Sequence, residues 1–181
     1  MNMIIGVTPS MDAVHKSFDY VFDQKVYRVY QFTAMQKQRI VNQHNRLRRQ
    51  EPAANMQEMV WDQKLANLAA GHARLCDAWH RPAHQRKGHG YNYIGENIWW
   101  STERFLRSGA RLESIISDLY NEKPYYNYNT GACQRGQQCG HYTQVVWATS
   151  CAVGCAAVYC NGIRNGRGIN HGHIYICNYG P

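Results

Sequence analysis

Gly140-His141-Tyr142-Thr143-Gln144-Val145-Val146-Trp147 and, further along, His173-Ile174-Tyr175-Ile176-Cys177-Asn178-Tyr179 carry the densest pattern in this chain. From Cys139 onward, runs of β-branched and aromatic residues are broken by Gly and Asn, which reads as antiparallel strands and turns. The residues upstream supply helices. Strands flanked by helices, without regular βαβ alternation, predict an α+β domain and not a doubly wound sheet.

Three helices follow from spacing and caps. Thr33-Ala34-Met35-Gln36 is a capping box, in which the Thr and Gln side chains satisfy the first free backbone donors. It predicts a helix to about Arg49 with Ile40, Val41, His44 and Leu47 on one face, so His44 reads as a core residue. Pro52 to Met59 is a loop, after which Asp62 caps a second helix carrying Leu65, Leu68, Ala69, Leu75 and Cys76 inward. A third, from about Ser108 to Tyr120, buries Leu112, Ile115, Ile116 and Leu119. Residues 1–32 precede the first helix as an extension whose Phe18, Tyr20, Phe22, Tyr27 and Tyr30 are too apolar to dangle in water, so it should pack on the body. Phe18, Phe22, Val26, Val29 and Tyr30 fit helical spacing, while Phe18, Tyr20 and Phe22 also fit strand alternation.

At 181 residues the chain suits one domain with a substantial core. No apolar run approaches the ~18 residues of a membrane span, and Met1–Ser10 lacks the apolar core of a signal peptide. The expectation is a removed leader or unconventional export. Seven cysteines without a C-x-x-C pair point to an oxidising, extracellular setting. No Asn-x-Ser/Thr sequon is present. A formal charge of +8 favours anionic surfaces such as phospholipid headgroups, sulfated glycans or nucleic acid. Arg46, Arg48 and Arg49 form one basic group, and Arg81, His84, Arg86, Lys87 and His89 another. Nucleic acid is set aside because no binding module accompanies the charge.

The two opening stretches resemble the signature motifs of the CAP superfamily, the cysteine-rich secretory, antigen 5 and pathogenesis-related 1 proteins. Gly95-Glu96-Asn97-Ile98 is similar to a third hallmark, and His44-Asn45-Arg46-Leu47-Arg48 and Trp61-Asp62 with Leu65-Ala66 to two more. The resemblance covers residues 33–181 as a single CAP domain, and overall likeness points to the helminth venom-allergen-like proteins. It implies a three-layer α-β-α sandwich with a central antiparallel sheet, secreted and disulfide-bonded as Cys76–Cys160, Cys133–Cys139 and Cys155–Cys177, with Cys151 left over. Since the chain stops soon after the second signature, the cysteine-rich C-terminal module of some relatives is expected to be absent.

The resemblance also implies a cleft lined by two histidines and two acids, here His80, Glu96, Glu122 and His141. His141 is fixed by the first signature, Glu96 by Gly-Glu-Asn, Glu122 by Tyr120-Asn121-Glu122-Lys123-Pro124-Tyr125, and His80 by its spacing from Cys76. His84, His89 and the His171/His173 pair are rivals. Two imidazoles and two carboxylates suit zinc, with water completing the shell; no organic cofactor is expected. The chain lacks H-E-x-x-H, G-x-S-x-G and a cysteine-nucleophile signature, so it is expected not to be an enzyme, with a zinc hydrolase as the third reading.

Lipid binding is the function the resemblance implies, with a fatty acid and/or a sterol as partner. The sterol loop would be Pro124 to Thr130, with Tyr125, Tyr126 and Tyr128 covering a ring system. It departs from the family's fuller aromatic motif where the next aromatic would fall on Cys133. Walls of a fatty-acid tunnel would be Ile40, Val41, Leu47, Leu112, Ile115 and Leu119, which ordinary packing explains equally well. The alternative is an immune-modulating ligand that binds protein or glycan through its basic surface, on anionic membranes or sulfated glycans. A monomer or weak dimer is expected.

Overall fold

A computed structural model describes residues 26–102 and 112–181. The elements in chain order are β1 (Val26–Tyr30), α1 (Ala34–Arg48), β2 (Val60–Trp61), α2 (Gln63–Ala73), β3 (Gly95–Ser101), α3 (Leu112–Tyr120), β4 (Tyr126–Asn127), β5 (Ala132–Cys133), α4 (Gly140–Val145), β6 (Ala152–Asn161) and β7 (His171–Gly180). The main sheet runs β1-β6-β7-β3 with antiparallel neighbours, and the short β2 joins β6 in parallel.

Alternation along the strands builds the layers, because successive side chains leave a strand on opposite faces. Val153, Cys155, Ala157, Tyr175, Cys177 and Tyr179 meet Ile40, Val41, Leu47, Leu112, Ile115, Ile116 and Leu119 of α1 and α3. Ala156, Val158, Ile98, Ile174 and Ile176 meet Ala69 and Ala73 of α2 on the other face. The result is the expected α+β, three-layer α-β-α sandwich. At Gly154 a Cβ would stand 2.1 Å from Ala66 N and 2.4 Å from Asp62 O, so only glycine lets the start of α2 lie this close to β6.

The caps behave as the sequence predicts. Thr33 Oγ1 accepts from Gln36 N (3.2 Å), Gln36 Oε1 accepts from Thr33 N (2.8 Å), and Asp62 Oδ1 accepts from Leu65 N (2.9 Å). Helix α2 is shorter than predicted. It stops at Ala73, since Cys76 takes a left-handed backbone (φ 49°) and is bonded to Cys160, so Leu75 and Cys76 lie beyond it. Leu68 and Leu75 are only half-buried. The third predicted helix is described from Leu112; its predicted start, 108–111, and Phe18, Tyr20 and Phe22 lie outside the described residues. Val26–Tyr30, whose spacing fits helix as well as strand, is a strand.

Two readings are corrected. The run after Cys139 opens with a helix, Gly140–Val145, whose Tyr142 and Val145 are buried three residues apart. So short an apolar run does not distinguish the two periodicities. Arg48 is not part of a surface cluster but 1% exposed. Its guanidinium donates to the carbonyls of Val145 and Trp147 (both 2.9 Å), Gln57 (2.7 Å) and Ser150 (2.8 Å), closing the loops around α4.

The three disulfides form with the expected pairing, and Cys151 is free and half-buried. Among the described residues no helix is long and apolar enough to cross a membrane.

Candidate functional site: a cleft between two His–Glu pairs and a tyrosine hairpin

Glu96 lies on β3 with its carboxylate fully enclosed beneath α2. His72 Nδ1 donates to Oε2 at 2.8 Å, and His80 Nδ1 and Arg81 N donate to Oε1 at 3.0 and 3.3 Å. Burial alone would push this carboxyl up. The hydrogen bonds and charge of His72 and His80 outweigh it and bring the pKa down to about 2.

Glu122 follows α3 and faces the start of α4. It accepts from His141 Nδ1 (2.6 Å), His141 N (2.9 Å) and Tyr142 N (3.3 Å), serving as both imidazole orienter and helix cap. Behind it, Tyr142 donates to the buried carboxylate of Glu51 (2.9 Å), which Tyr120 and Lys123 also contact. This network anchors α4 from below.

His80 and His141 line one cavity of about 510 Å³ with Arg86, Tyr93, Asn97 and Gln144. Both histidines commit Nδ1–H to a carboxylate, a tautomer assigned from the acceptor, so Nε2 is the ring atom left to meet a ligand. The four predicted residues are brought to this cleft as two pairs, not as one cluster. Among the described residues no three His, Cys, Asp or Glu side chains converge as a ligand set. His84 and His89 are exposed and bond to neither carboxylate, and His171 and His173 begin β7. His72 lies outside the motifs that point to the other four; its one signal in the sequence is that it continues the inward stripe of Leu65 and Ala69. His44 belongs to the core. Its Nδ1 donates to Ile40 O (2.9 Å), its Nε2 accepts from Tyr179 (3.1 Å), and burial brings its pKa down to about 4.

The tyrosine loop is a hairpin of β4 and β5 that pairs Tyr126 with Cys133. Cys133, the position where a further aromatic was expected, ties the hairpin to Cys139 at the start of α4. Beneath it lies an open concavity of about 530 Å³ lined by Pro124, Tyr125, Tyr126, Thr130, Ala132 and Cys133. Tyr126 packs on Tyr142 at 5.5 Å between centroids, and Tyr125 is 40% exposed. Tyr128, 53% exposed, does not line this concavity. The six tunnel candidates all lie in one buried cluster. Arg39 with Glu113, and Gln43 with Ser117 (2.9 Å), bridge α1 to α3 beside them.

This chain matches the family described as "CAP: Cysteine-rich secretory protein family" over residues 41–179. The chain belongs to the CAP family. It is 39% identical over 146 residues to mouse GLIPR1-like protein 1, covering 78% of this chain and 57% of that protein. It is 34% identical over 151 residues to mouse peptidase inhibitor 16 (82% and 28%) and 36% over 126 residues to tobacco pathogenesis-related protein 1C (70% and 65%). The chain therefore spans less than two thirds of each of these relatives. Among solved structures it is similar to Schistosoma mansoni venom allergen-like protein 4, with a TM-score of 0.64 and 23% identity over 82% of this chain and 90% of that one. NaASP2 solved with Zn2+ has a TM-score of 0.58 and 23% identity, over 82% and 80%. At such identities the two structures speak for the fold alone, and the CAP fold is what they share with this chain.

Proposed function

We propose that this CAP protein is a secreted, non-enzymatic binder of a small lipid, and that a sterol-sized ligand sits at the tyrosine hairpin. The observation that carries this reading is the open concavity of about 530 Å³ walled by Tyr125, Tyr126, Pro124 and Ala132. Aromatic faces on a scaffold fixed by a disulfide offer apolar contact to a rigid ring system at low ordering cost. A fatty acid between α1 and α3 is disfavoured, because the six side chains that would wall it are already packed into the core.

Three observations support the remaining parts. Three disulfides suit an oxidising extracellular setting. Among the described residues the cleft lining includes no Ser, Thr or free Cys beside the imidazoles, so no side-chain hydroxyl or thiol is placed there for acyl transfer. Its two imidazoles would suit zinc only with water completing the shell, and a carboxylate on Nδ1 is a common second partner of a metal-binding imidazole. His80 and His141 would hold the ion through Nε2, with Glu96 and Glu122 orienting them, and the ion would supply Lewis acidity or a structural crosslink there.

Equilibrium binding of labelled cholesterol and labelled palmitate to delipidated protein tests the reading. Saturable cholesterol binding that excess palmitate does not displace is expected. Binding of neither lipid above a charge-matched control protein overturns it.

A further inference from the structure

One end of the main sheet carries a shelf of rings. The register of β1 against β6 slips between Val26, opposite Cys160, and Arg28, opposite Tyr159. Tyr27 is the extra residue of this bulge. A bulge re-aims a side chain, and here Tyr27 turns onto the face that holds Tyr159 and His171, at 5.8 and 5.9 Å between centroids. Tyr159 in turn stands 4.8 Å from His173, which is buried and backs the shelf. Tyr27 is 60% exposed, and His171 and Arg28 are exposed beside it. These rings come from three neighbouring strands, with Tyr27 and His171 exposed and Tyr159 half-buried between them.

The surroundings are cationic. No Asp or Glu occurs from Val26 to Gln50 or from Ala152 to Pro181, which covers all three strands and the loop between β6 and β7. Arg28 lies over Tyr30 at 5.2 Å, and Arg167 sits exposed in that loop. Asp77 reaches the same loop but is committed to Arg164 (2.9 Å) and Asn165 (2.7 Å). Ring faces with Arg28 at their margin, and no unpaired carboxylate on these strands or their loop among the described residues, suit a ligand of alternating sugar faces and fixed negative charge.

We infer that the Tyr27–Tyr159–His171 shelf binds a sulfated glycan, with sugar rings stacked on the tyrosines and a sulfate on Arg28. This goes beyond the lipid reading and stands independently of it. The basic groups noticed in the sequence are poorer candidates. Arg48 is buried, Arg49 is paired with Glu58 (2.8 Å), and Arg81 and Arg86 donate to the carbonyls of Leu68 (2.9 Å) and Ile94 (2.7 Å). Single-stranded nucleic acid also stacks on aromatic, cationic sheets. In the oxidising, extracellular setting proposed above, a glycan is the polyanion favoured over single-stranded nucleic acid.

The test is fluorescence anisotropy with a labelled heparin-derived hexasaccharide, at two salt concentrations, on the whole chain. Stacking on one ring is worth enough that Tyr27→Ala and Tyr27→Leu should each weaken binding about tenfold, whereas Tyr27→Phe keeps it. Arg28→Gln should weaken binding and reduce its salt dependence, because one screened contact is gone. Lys87→Gln, in the other basic group, should leave affinity unchanged. The inference is overturned if the Tyr27 variants bind as the wild type does while Lys87→Gln loses affinity. It is equally overturned if a labelled oligothymidine binds more tightly than the glycan and depends on Tyr27.

Discussion

His72 Nδ1 stands 2.8 Å from Glu96 Oε2, a charge-assisted bond sealed between α2 and β3 with both side chains almost wholly out of solvent. The same carboxylate orients His80 at the edge of the cleft. One buried acid thus serves the stability of the fold and the geometry of the site.

Acid should reveal this arrangement in two steps. The folded pKa of His44 lies near 4, below its ordinary value of 6.5, so the unfolded chain binds the extra proton and stability falls between about pH 6.5 and 4. Glu96 is depressed from 4.5 to about 2, so its contribution is present above pH 4.5 and is lost as pH falls toward 2, on the order of 3 kcal/mol. Urea midpoints measured from pH 7 to 2 should show both declines. Glu96→Gln should be less stable at pH 7 and should lack the lower one; a wild-type midpoint flat below pH 4.5 contradicts the assignment.

Zinc, if it binds, should depend on the two cavity-facing imidazoles. Calorimetry should find no zinc affinity in the His80→Ala/His141→Ala double variant and unchanged affinity in His84→Ala, His89→Ala and His171→Ala. Glu122→Gln keeps the shape of the orienting group but weakens it, and should cost roughly 10- to 100-fold in affinity. An unaffected double variant would move the site elsewhere.

Arg48 should prove one of the least replaceable residues. Arg48→Lys keeps the charge but cannot reach carbonyls spread from Gln57 to Ser150, and should destabilise by roughly 3–5 kcal/mol in chemical denaturation. A loss below about 1 kcal/mol would mean that the carbonyls find other donors.

The disulfides should differ in worth. Cys76 and Cys160 are 84 residues apart, whereas Cys133 and Cys139 are only 6 apart. Chain entropy predicts about 4–5 kcal/mol from the long loop, so Cys76→Ser/Cys160→Ser should lower the melting temperature far more than Cys133→Ser/Cys139→Ser. Nonreducing peptide maps should leave Cys151 unpaired.

Much of this architecture was legible because local signals and global pattern agree. The capping box at Thr33, the Asp62 cap and the apolar stripes of α1 and α3 each report their element directly, and the family resemblance supplied the cysteine pairing. The signature motifs also led to His80, Glu96, Glu122 and His141. What stayed hidden depends on contacts made only in three dimensions. Arg48 reads as one of a basic run until carbonyls from distant loops surround it. The bulge at Tyr27 exists only in register with β6, and the pairing of each carboxylate with one imidazole of the cleft needs the sheet to set their separation. Spacing could place His72 on the inward face of α2; it could not say that Glu96 lies opposite.

The central claim is that a sterol rests on the tyrosine hairpin, and photo-crosslinking tests it most directly. Delipidated protein is equilibrated with a photoactivatable cholesterol, irradiated, digested and mapped by mass spectrometry, alongside the Tyr126→Ala variant. The account predicts adducts within Pro124–Cys133 that excess cholesterol suppresses and that Tyr126→Ala loses. Adducts confined to α1 and α3, around Ile40 and Ile115, or spread over the surface and insensitive to competitor, would contradict it.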